Sequence, residues 1–384
     1  MEKKNPKSVL FINLYTQMGG GEYSLLHLMK SLDKDQFSPI LLLPEEGPFA
    51  EKARSNGIAV KLIKFRPAIL LKLFNPIILN AELKAARQLS QFIFSEDIQL
   101  IHCTDILSLL LLIPAWLRCR IHIFYNLILF PSPFQCLLLN FLTSFMLRSI
   151  VATSQAVKAH LLKYTIGLEP KVSVMYNGVD ASLFRPMIEN EKRAVREKHG
   201  LPAGKKVVGL LGRYEVWKGH QTFLQAAELL LAKRTDLLFI VIGGAITGEI
   251  VPAVRKYRAD FLESVHRSPI NDHFLLWDHR DDIFRVIHCL DVVVCPSEQE
   301  AFGLIVLEAY ASNIPVVVSN TVGALEVLKG EKGIWIAEAD SVKAFTKQIE
   351  LALSDSSELI PNKQKLDELS WKNYASQWEK IYLS

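Results

Sequence analysis

The chain has 384 residues, half of them hydrophobic and 22% charged; it is too long for one ordinary core and too apolar for extensive disorder, so two folded domains are expected. The formal charge of +4 conceals an asymmetry: residues 1–186 carry 20 Lys+Arg against 13 Asp+Glu, a balance of +7, and the remainder 24 against 27, a balance of −3. So dilute a basic excess excludes the dense, aromatic-interleaved patch of a nucleic-acid binder and suits an anionic membrane face.

A basic start, Met1 to Lys7, leads into an apolar run that Met18-Gly19-Gly20-Gly21 soon closes. The run is too short for a secretory leader and no cleavage site follows. It is predicted as a first strand, Val9–Leu14, and the protein is expected to remain in the cytoplasm. Gly20 and Gly21 open a helix predicted over Glu22–Leu32, where missing side chains let backbone amides approach a ligand closely. The string is not G-x-G-x-x-G, which argues against a nicotinamide cofactor. Asp33 and Asp35 lie in a polar connection and read as solvated surface, and no His/Cys set has metal-ligand spacing. The five cysteines form no C-x-x-C pair and read as small hydrophobes in a reducing compartment.

Further strands are predicted at Ile40–Leu43, Leu100–Cys103 and Ile150–Thr153, with helices between them such as Asn80–Phe94, the alternation of a doubly wound parallel sheet. His102 near one strand end and Asn126 at the end of Ile121–Asn126 are polar side chains able to hydrogen-bond. The run 106–117 is nearly all apolar and 127–147 has no charged residue. Pro131 and Pro133 interrupt the second run, and the helical part after Phe134 is too short to cross about 30 Å of hydrocarbon. Residues 134–142 are apolar on nearly every face, so they must be buried all round, dock a partner, or touch lipid. The basic excess nearby favours peripheral membrane contact and a lipid-linked or membrane-embedded acceptor.

An Asn177-Gly178 turn, a proline stop at Pro186 and the charged run 189–198 mark a boundary. A second strand cycle follows: Val207–Leu211, Leu238–Ile242, Phe274–Trp277, Asp291–Cys295 and Pro315–Val318. After its first strand, Gly212-Arg213 and Lys218-Gly219 place a guanidinium fork and a point charge on one loop, a pairing suited to a diphosphate. After Asp291–Cys295, Pro296-Ser297 ends the strand and a helix is predicted to open near Phe302-Gly303, its free amides facing an anion. Glu300 and Glu308 flank that junction, at a separation comparable to the distance from ribose to sugar ring. Trp371, Tyr374, Trp378 and Tyr382 recur at helical spacing, which signals packing.

Three strings together resemble the group 1 glycosyltransferases, glycosyltransferase family 4: Glu300-x-Phe302-Gly303-Leu304 with Glu308, Gly212-Arg213-x₄-Lys218-Gly219, and Asn177-Gly178-Val179-Asp180-x₃-Phe184-x-Pro186. Gly19-Gly20-Gly21-Glu22 resembles the family's Gly-Gly-x-Glu entry. Residues 277–283 and 319–326 resemble loops beside the nucleotide and around the site. The likeness covers nearly the whole chain. It implies a GT-B fold: an α/β protein of two Rossmann-like domains facing across a cleft, an acceptor-side domain at 1–186, a donor-binding domain at 187–365 and a C-terminal helix at 366–384 crossing back to the first domain. It also implies a retaining, metal-independent enzyme using a nucleoside-diphosphate sugar, with no further cofactor. Glu300, Arg213 and Lys218 would then be catalytic. Glu308, Phe302, Gly303, Leu304, Gly20 and Gly21 would bind the donor. Ile101-His102-Cys103 resembles the family's strand ending in histidine, so His102 and Asn126 would be possible acceptor or sugar contacts, although the acceptor side departs from the family pattern in that Asn126 stands where many members carry a histidine. A sugar-nucleotide epimerase of the same fold and a noncatalytic nucleotide-sugar-binding subunit remain as alternatives.

Overall fold

The computed structural model describes residues 5–65, 76–244, 252–355 and 359–384. The chain divides into two compact units, one made of Met1–Gly178 with Trp371–Ser384 and the other of Val179–Ser370. The junction therefore precedes the proline stop expected at Pro186. Its cause is local: the Val179 amide donates to the Leu369 carbonyl at 2.7 Å and Val179 bridges Ser370, so the segment after Gly178 joins the second unit. Within that segment Asp180 Oδ1 accepts the amides of Ser182 and Leu183 at 3.0 and 3.2 Å, tying the turn down.

The first unit is built on seven parallel strands: β1 (Lys7–Ile12), β2 (Phe37–Leu43), β3 (Ala59–Leu62), β4 (Leu100–Cys103), β5 (His122–Leu127), β6 (Leu147–Ala152) and β7 (Val172–Val174). Their spatial order is β3-β2-β1-β4-β5-β6-β7. The second has six: β8 (Lys206–Leu211), β9 (Leu237–Ile242), β10 (Phe274–Trp277), β11 (Val292–Cys295), β12 (Val316–Ser319) and β13 (Ile334–Ala337), ordered β10-β9-β8-β11-β12-β13. Both sheets are wound outward from a central pair, β1 with β4 and β8 with β11, and all their pairings are parallel. In such sheets the loops leaving the central pair diverge at the carboxyl ends, and ligands bind in the crevice so formed.

Burial on both faces explains the continuous apolar runs. Every residue of β9 and β11 is buried, as a parallel strand covered by helices must be. Gly209, in the middle of β8, lacks the side chain that would collide with Leu290. The second core gathers Phe223, Phe239, Phe261, Phe274 and Phe345 beneath the helices His220–Leu231, Pro252–Arg267 and Val342–Ser354. The predicted strand Val9–Leu14 ends at Ile12. Beyond it the Asn13 side chain turns aside to donate to the Tyr15 carbonyl at 2.8 Å and to Glu22 at 3.2 Å.

Trp371–Leu383 forms one helix whose Trp371, Tyr374, Trp378 and Tyr382 are buried. Its aromatic stripe packs into the first unit, with Trp371 stacked on His27 at 4.9 Å and Tyr382 edge-on to Phe124 at 5.3 Å.

Candidate functional site

In the second unit the loops leaving β8 and β11 interlock. The Glu298 amide donates to the Trp217 carbonyl at 2.8 Å, and Gly219, at φ +71°, lies so close to the Pro296 carbonyl that any Cβ would overlap it. Both the left-handed backbone and the close approach require glycine there. The crossing brings Lys218 Nζ onto Glu300 Oε2 as an ion pair. Both side chains are largely withdrawn from solvent, which strengthens the pair relative to a surface one. Arg213 lies on the same loop, 3.8 Å from the carboxylate of buried Glu215 and still about one-third exposed.

Glu300 is held from three sides. Ser297 Oγ donates to its carboxylate at 3.4 Å. Its carbonyl accepts the Gly323 amide at 3.0 Å, and its backbone bridges Val322. Ser297 is fixed in turn by the loop after β12, whose Ser319 and Thr321 hydroxyls both donate to its carbonyl. Neither Ser297, Ser319 nor Thr321 was singled out by the sequence reading, although Ser297 and Ser319 each sit at the end of a fully apolar strand.

The helix after this loop runs from Leu304 to Ala311 with Gly303 as its N-cap at φ +89°. A Cβ on Gly303 would also strike Val322, so glycine is required on two grounds. Among the described residues the amides of Gly303, Leu304 and Ile305 have no hydrogen-bond partner, whereas the Val306 amide already donates to the Gly303 carbonyl at 3.0 Å. Those three amides add positive potential beside the Lys218–Glu300 pair, since Glu300 packs against Gly303. Phe302 is buried and its carbonyl accepts the Ala324 amide at 2.7 Å; it anchors the loop from within. One turn further, Glu308 keeps some accessible surface, yet burial raises its carboxyl to about 7. Behind the loop His220 is buried and stacks on Tyr214 at 4.9 Å. Burial, followed by the Lys218 charge, lowers its imidazole to about 3.

The loop 277–282 meets the end of β9, where His279 occupies the space a Cβ on Gly244 would need. Arg280 pairs with Asp282 at 2.8 and 2.9 Å and lies over the Trp277 ring.

In the first unit Gly20 and Gly21 form the first turn of the helix Gly20–Ser31, with Gly19 as N-cap. Asn13 and Thr104, after β1 and β4, are joined by a 3.1 Å hydrogen bond. His102 and Asn126 are placed differently from expectation. His102 has no exposed surface: its Nδ1 lies 2.7 Å from Tyr382 Oη, and its ring packs at 4.4 Å from Trp378 and 4.9 Å from Phe11. Burial lowers its imidazole to about 3. Asn126 is equally enclosed and donates to Tyr374 Oη at 3.4 Å. Both pack against the C-terminal helix and have almost no exposed surface, while His102 Nε2 and Asn126 Oδ1 are left without a hydrogen-bond partner among the described residues. Asp33 and Asp35 lie in an exposed turn in which Asp33 accepts the Asp35 amide and the Gln36 side chain. Among the described residues no three or more His, Cys, Asp or Glu side chains are grouped to hold a metal ion.

Two family models match the chain in succession: Glycosyltransferase Family 4 over residues 18–183 and Glycosyl transferases group 1 over residues 191–372. The second covers the whole Arg213, Lys218 and Glu300 constellation. The chain belongs to the group 1 glycosyltransferases.

Among curated relatives of this group 1 glycosyltransferase, the D-inositol 3-phosphate glycosyltransferase of Corynebacterium urealyticum is 30% identical over 56% of this chain and 51% of that protein. The capsular polysaccharide biosynthesis glycosyltransferase CapM of Staphylococcus aureus is 27% identical over 58% of this chain and 57% of CapM. The chain thus spans roughly half the length of these relatives. Among solved structures, Anabaena HepE in complex with UDP and glucose superposes with a TM-score of 0.82 at 19% identity, covering 98% of this chain and 99% of HepE. That likeness shows the fold, GT-B.

Proposed function

We propose that this group 1 glycosyltransferase moves a sugar from a nucleoside-diphosphate sugar to an acceptor hydroxyl with retention of anomeric configuration. The acceptor is a glycolipid or a cell-surface polysaccharide under construction, and the work is done on the cytoplasmic side of a membrane. The observation that carries the reading is the Lys218–Glu300 pair beside Arg213, at the carboxyl ends of the central strands β8 and β11. The two charges neutralise each other. A donor separates them: Lys218, Arg213 and the amides of Gly303 and Leu304 take the diphosphate, and Glu300 turns to a hydroxyl of the sugar. Phe302 supports the loop from behind, Glu308 accepts from ribose hydroxyls, and Gly20 and Gly21 offer backbone amides of the first unit to ligand oxygens.

The bond from the anomeric carbon to the diphosphate oxygen breaks, the acceptor oxygen bonds to the same carbon from the face just vacated, and its proton passes to the departing diphosphate. The positive groups stabilise the charge that develops on the leaving group, so no resident metal is assigned to that task. The names of relatives such as CapM support a polysaccharide setting, and HepE, solved in complex with UDP and glucose, makes uracil the first base to test.

Thermal stabilisation of the purified chain by UDP, GDP, ADP, dTDP and CMP, with and without attached sugars, tests the donor assignment. A selective shift with one nucleoside diphosphate is expected; no shift with any of them overturns it. Consumption of the responding sugar nucleotide without an acceptor would identify an epimerase instead.

A further inference from the structure

The helix Pro133–Phe145 buries Cys136, Leu139, Leu142 and Thr143 and turns its other face outward. On that face Phe134, Leu137 and Phe141 are each more than half exposed, and Phe145 follows one turn on. The apolar surface continues onto two neighbouring helices. Phe145 meets Trp116 of Ile106–Cys119 at 5.4 Å and Phe141 at 5.1 Å. Beside Trp116, Leu117 is exposed, and Phe94 at the end of Pro76–Ser95 is exposed as well. The guanidinium groups of Arg118 and Arg120 lie over Phe94 and Trp116, at 5.1 and 4.2 Å from the ring centroids.

A soluble chain rarely leaves so many large apolar side chains exposed along one face without something to cover them. The charge around the face names the cover. Between Asp105 and Glu169, the span that supplies every residue of the face except Phe94, no acidic residue occurs, whereas Arg118, Arg120, Arg148, Lys158 and Lys163 do; Glu96 and Asp97 follow Phe94 at the edge of the face. A protein partner of ordinary composition gives no reason for a long stretch without a single carboxylate; a negatively charged lipid surface does, because a carboxylate there is repelled and each arginine or lysine gains. None of the helices is long and apolar enough to span a bilayer among the described residues. What remains is the arrangement of a helix lying in the interface, with apolar side chains in the acyl boundary and cations at headgroup level.

We infer that Phe94, Leu117, Phe134, Leu137, Phe141 and Phe145, rimmed by Arg118 and Arg120, form a docking face for an anionic lipid bilayer. The inference deepens the proposed membrane-side transfer and rests on it for its biological purpose, though not for its physics. The apolar stripe supplies the part of binding that salt does not screen, and the arginines supply lipid selectivity and a salt-dependent part.

The test is co-sedimentation of the full chain with vesicles of phosphatidylcholine alone and of phosphatidylcholine mixed with phosphatidylglycerol. Retention on the mixed vesicles, weakened by salt and much reduced on phosphatidylcholine alone, is expected. The double variant L137S/F141S should lower the partition coefficient by at least about tenfold, the scale of two lost apolar anchors, and R118E/R120E should abolish the preference for the anionic vesicles. Both sites are exposed, and the nucleotide-induced thermal shift in each variant reports an intact fold. Equal retention of wild type and variants, or no retention of the wild type, overturns the inference. So does a dimer in analytical ultracentrifugation that L137S/F141S converts to monomer, since a second copy then covers the face. A wild type that binds vesicles but shows no nucleotide shift leaves the docking face standing and overturns the donor assignment instead.

Discussion

The strand ends of the two units carry similar kinds of residue and put them to opposite uses. In the second unit Lys218, Arg213 and Glu300 sit on loops and Glu308 one turn into a helix, part of each still reachable from solvent, and the main internal partner of Lys218 is Glu300 itself. In the first unit His102 and Asn126 are enclosed by Trp378, Tyr374 and Tyr382 of a helix contributed from the far end of the chain. A polar residue at the end of a parallel strand is thus not a ligand contact by position alone. What decides is whether its surface is covered by packing or left open to an incoming molecule; His102 Nε2 and Asn126 Oδ1 stay unpaired beneath that cover.

Trp378→Ala should break the first half of that contrast with the largest effect. Removing a fully buried indole opens a cavity over His102 and should cost about 3–5 kcal/mol in urea unfolding, with nucleoside-diphosphate affinity unchanged in the folded fraction. If stability held and acceptor KM rose instead, the strand ends of the first unit would be ligand-facing after all. The second half is broken by Glu300→Gln. The substitution keeps shape and removes the charge, and turnover should fall by about 10²–10³-fold, the size of a lost transition-state contact, while calorimetry shows nucleotide binding retained. Full turnover by this variant would remove Glu300 from the sugar. Lys218→Ala sharpens the same comparison at a smaller scale: it should weaken the nucleoside diphosphate by about 1–3 kcal/mol, as for a lost charge-assisted hydrogen bond. An unchanged dissociation constant would assign Lys218 to holding Glu300 alone.

The winding of both sheets was legible because parallel strands buried on two faces are written as unbroken apolar runs; Val292–Cys295 and Leu237–Ile242 are examples. The short strands Ala59–Leu62, Val172–Val174 and Ile334–Ala337 were not, since an edge strand is covered less and its pattern dilutes. Lys218 and Glu300 could be named as candidate residues, but their contact depends on how two loops cross, and that crossing is enforced by Gly219 against Pro296. The burial of His102 was out of reach for another reason. It is created by Tyr382, 280 positions away, and no local pattern around a short strand reports what a distant helix will cover. The apolar run 134–142 was read correctly as unusual. Only the folded helix separates the face that packs on β6 from the one that does not.

Glu308 gives the smallest effect and the finest discrimination. Burial raises its carboxyl from the ordinary glutamate range to about 7, so near neutrality the folded chain carries it half protonated. For stability the sign is fixed: with the folded value raised, its contribution is fully present below the ordinary glutamate range and is lost as pH rises through about 7. For binding the sign is opposite. Ribose hydroxyls donate, the ionised carboxylate is the better acceptor, and a bound nucleotide therefore draws the group back toward ionisation and releases a proton. Affinity should then decline as pH falls through 7, with a slope of at most about tenfold per unit. The nucleotide's own terminal phosphate titrates nearby, so the informative quantity is the difference between wild type and Glu308→Gln, in which only the phosphate remains to titrate. Calorimetry from pH 8 to about pH 6 should give a steeper decline for the wild type, and the gap should shrink when the ribose lacks its 2′-hydroxyl. Parallel profiles would mean that the raised carboxyl belongs to the helix interior, and Glu308 would then join His102 among the residues whose polar groups serve packing.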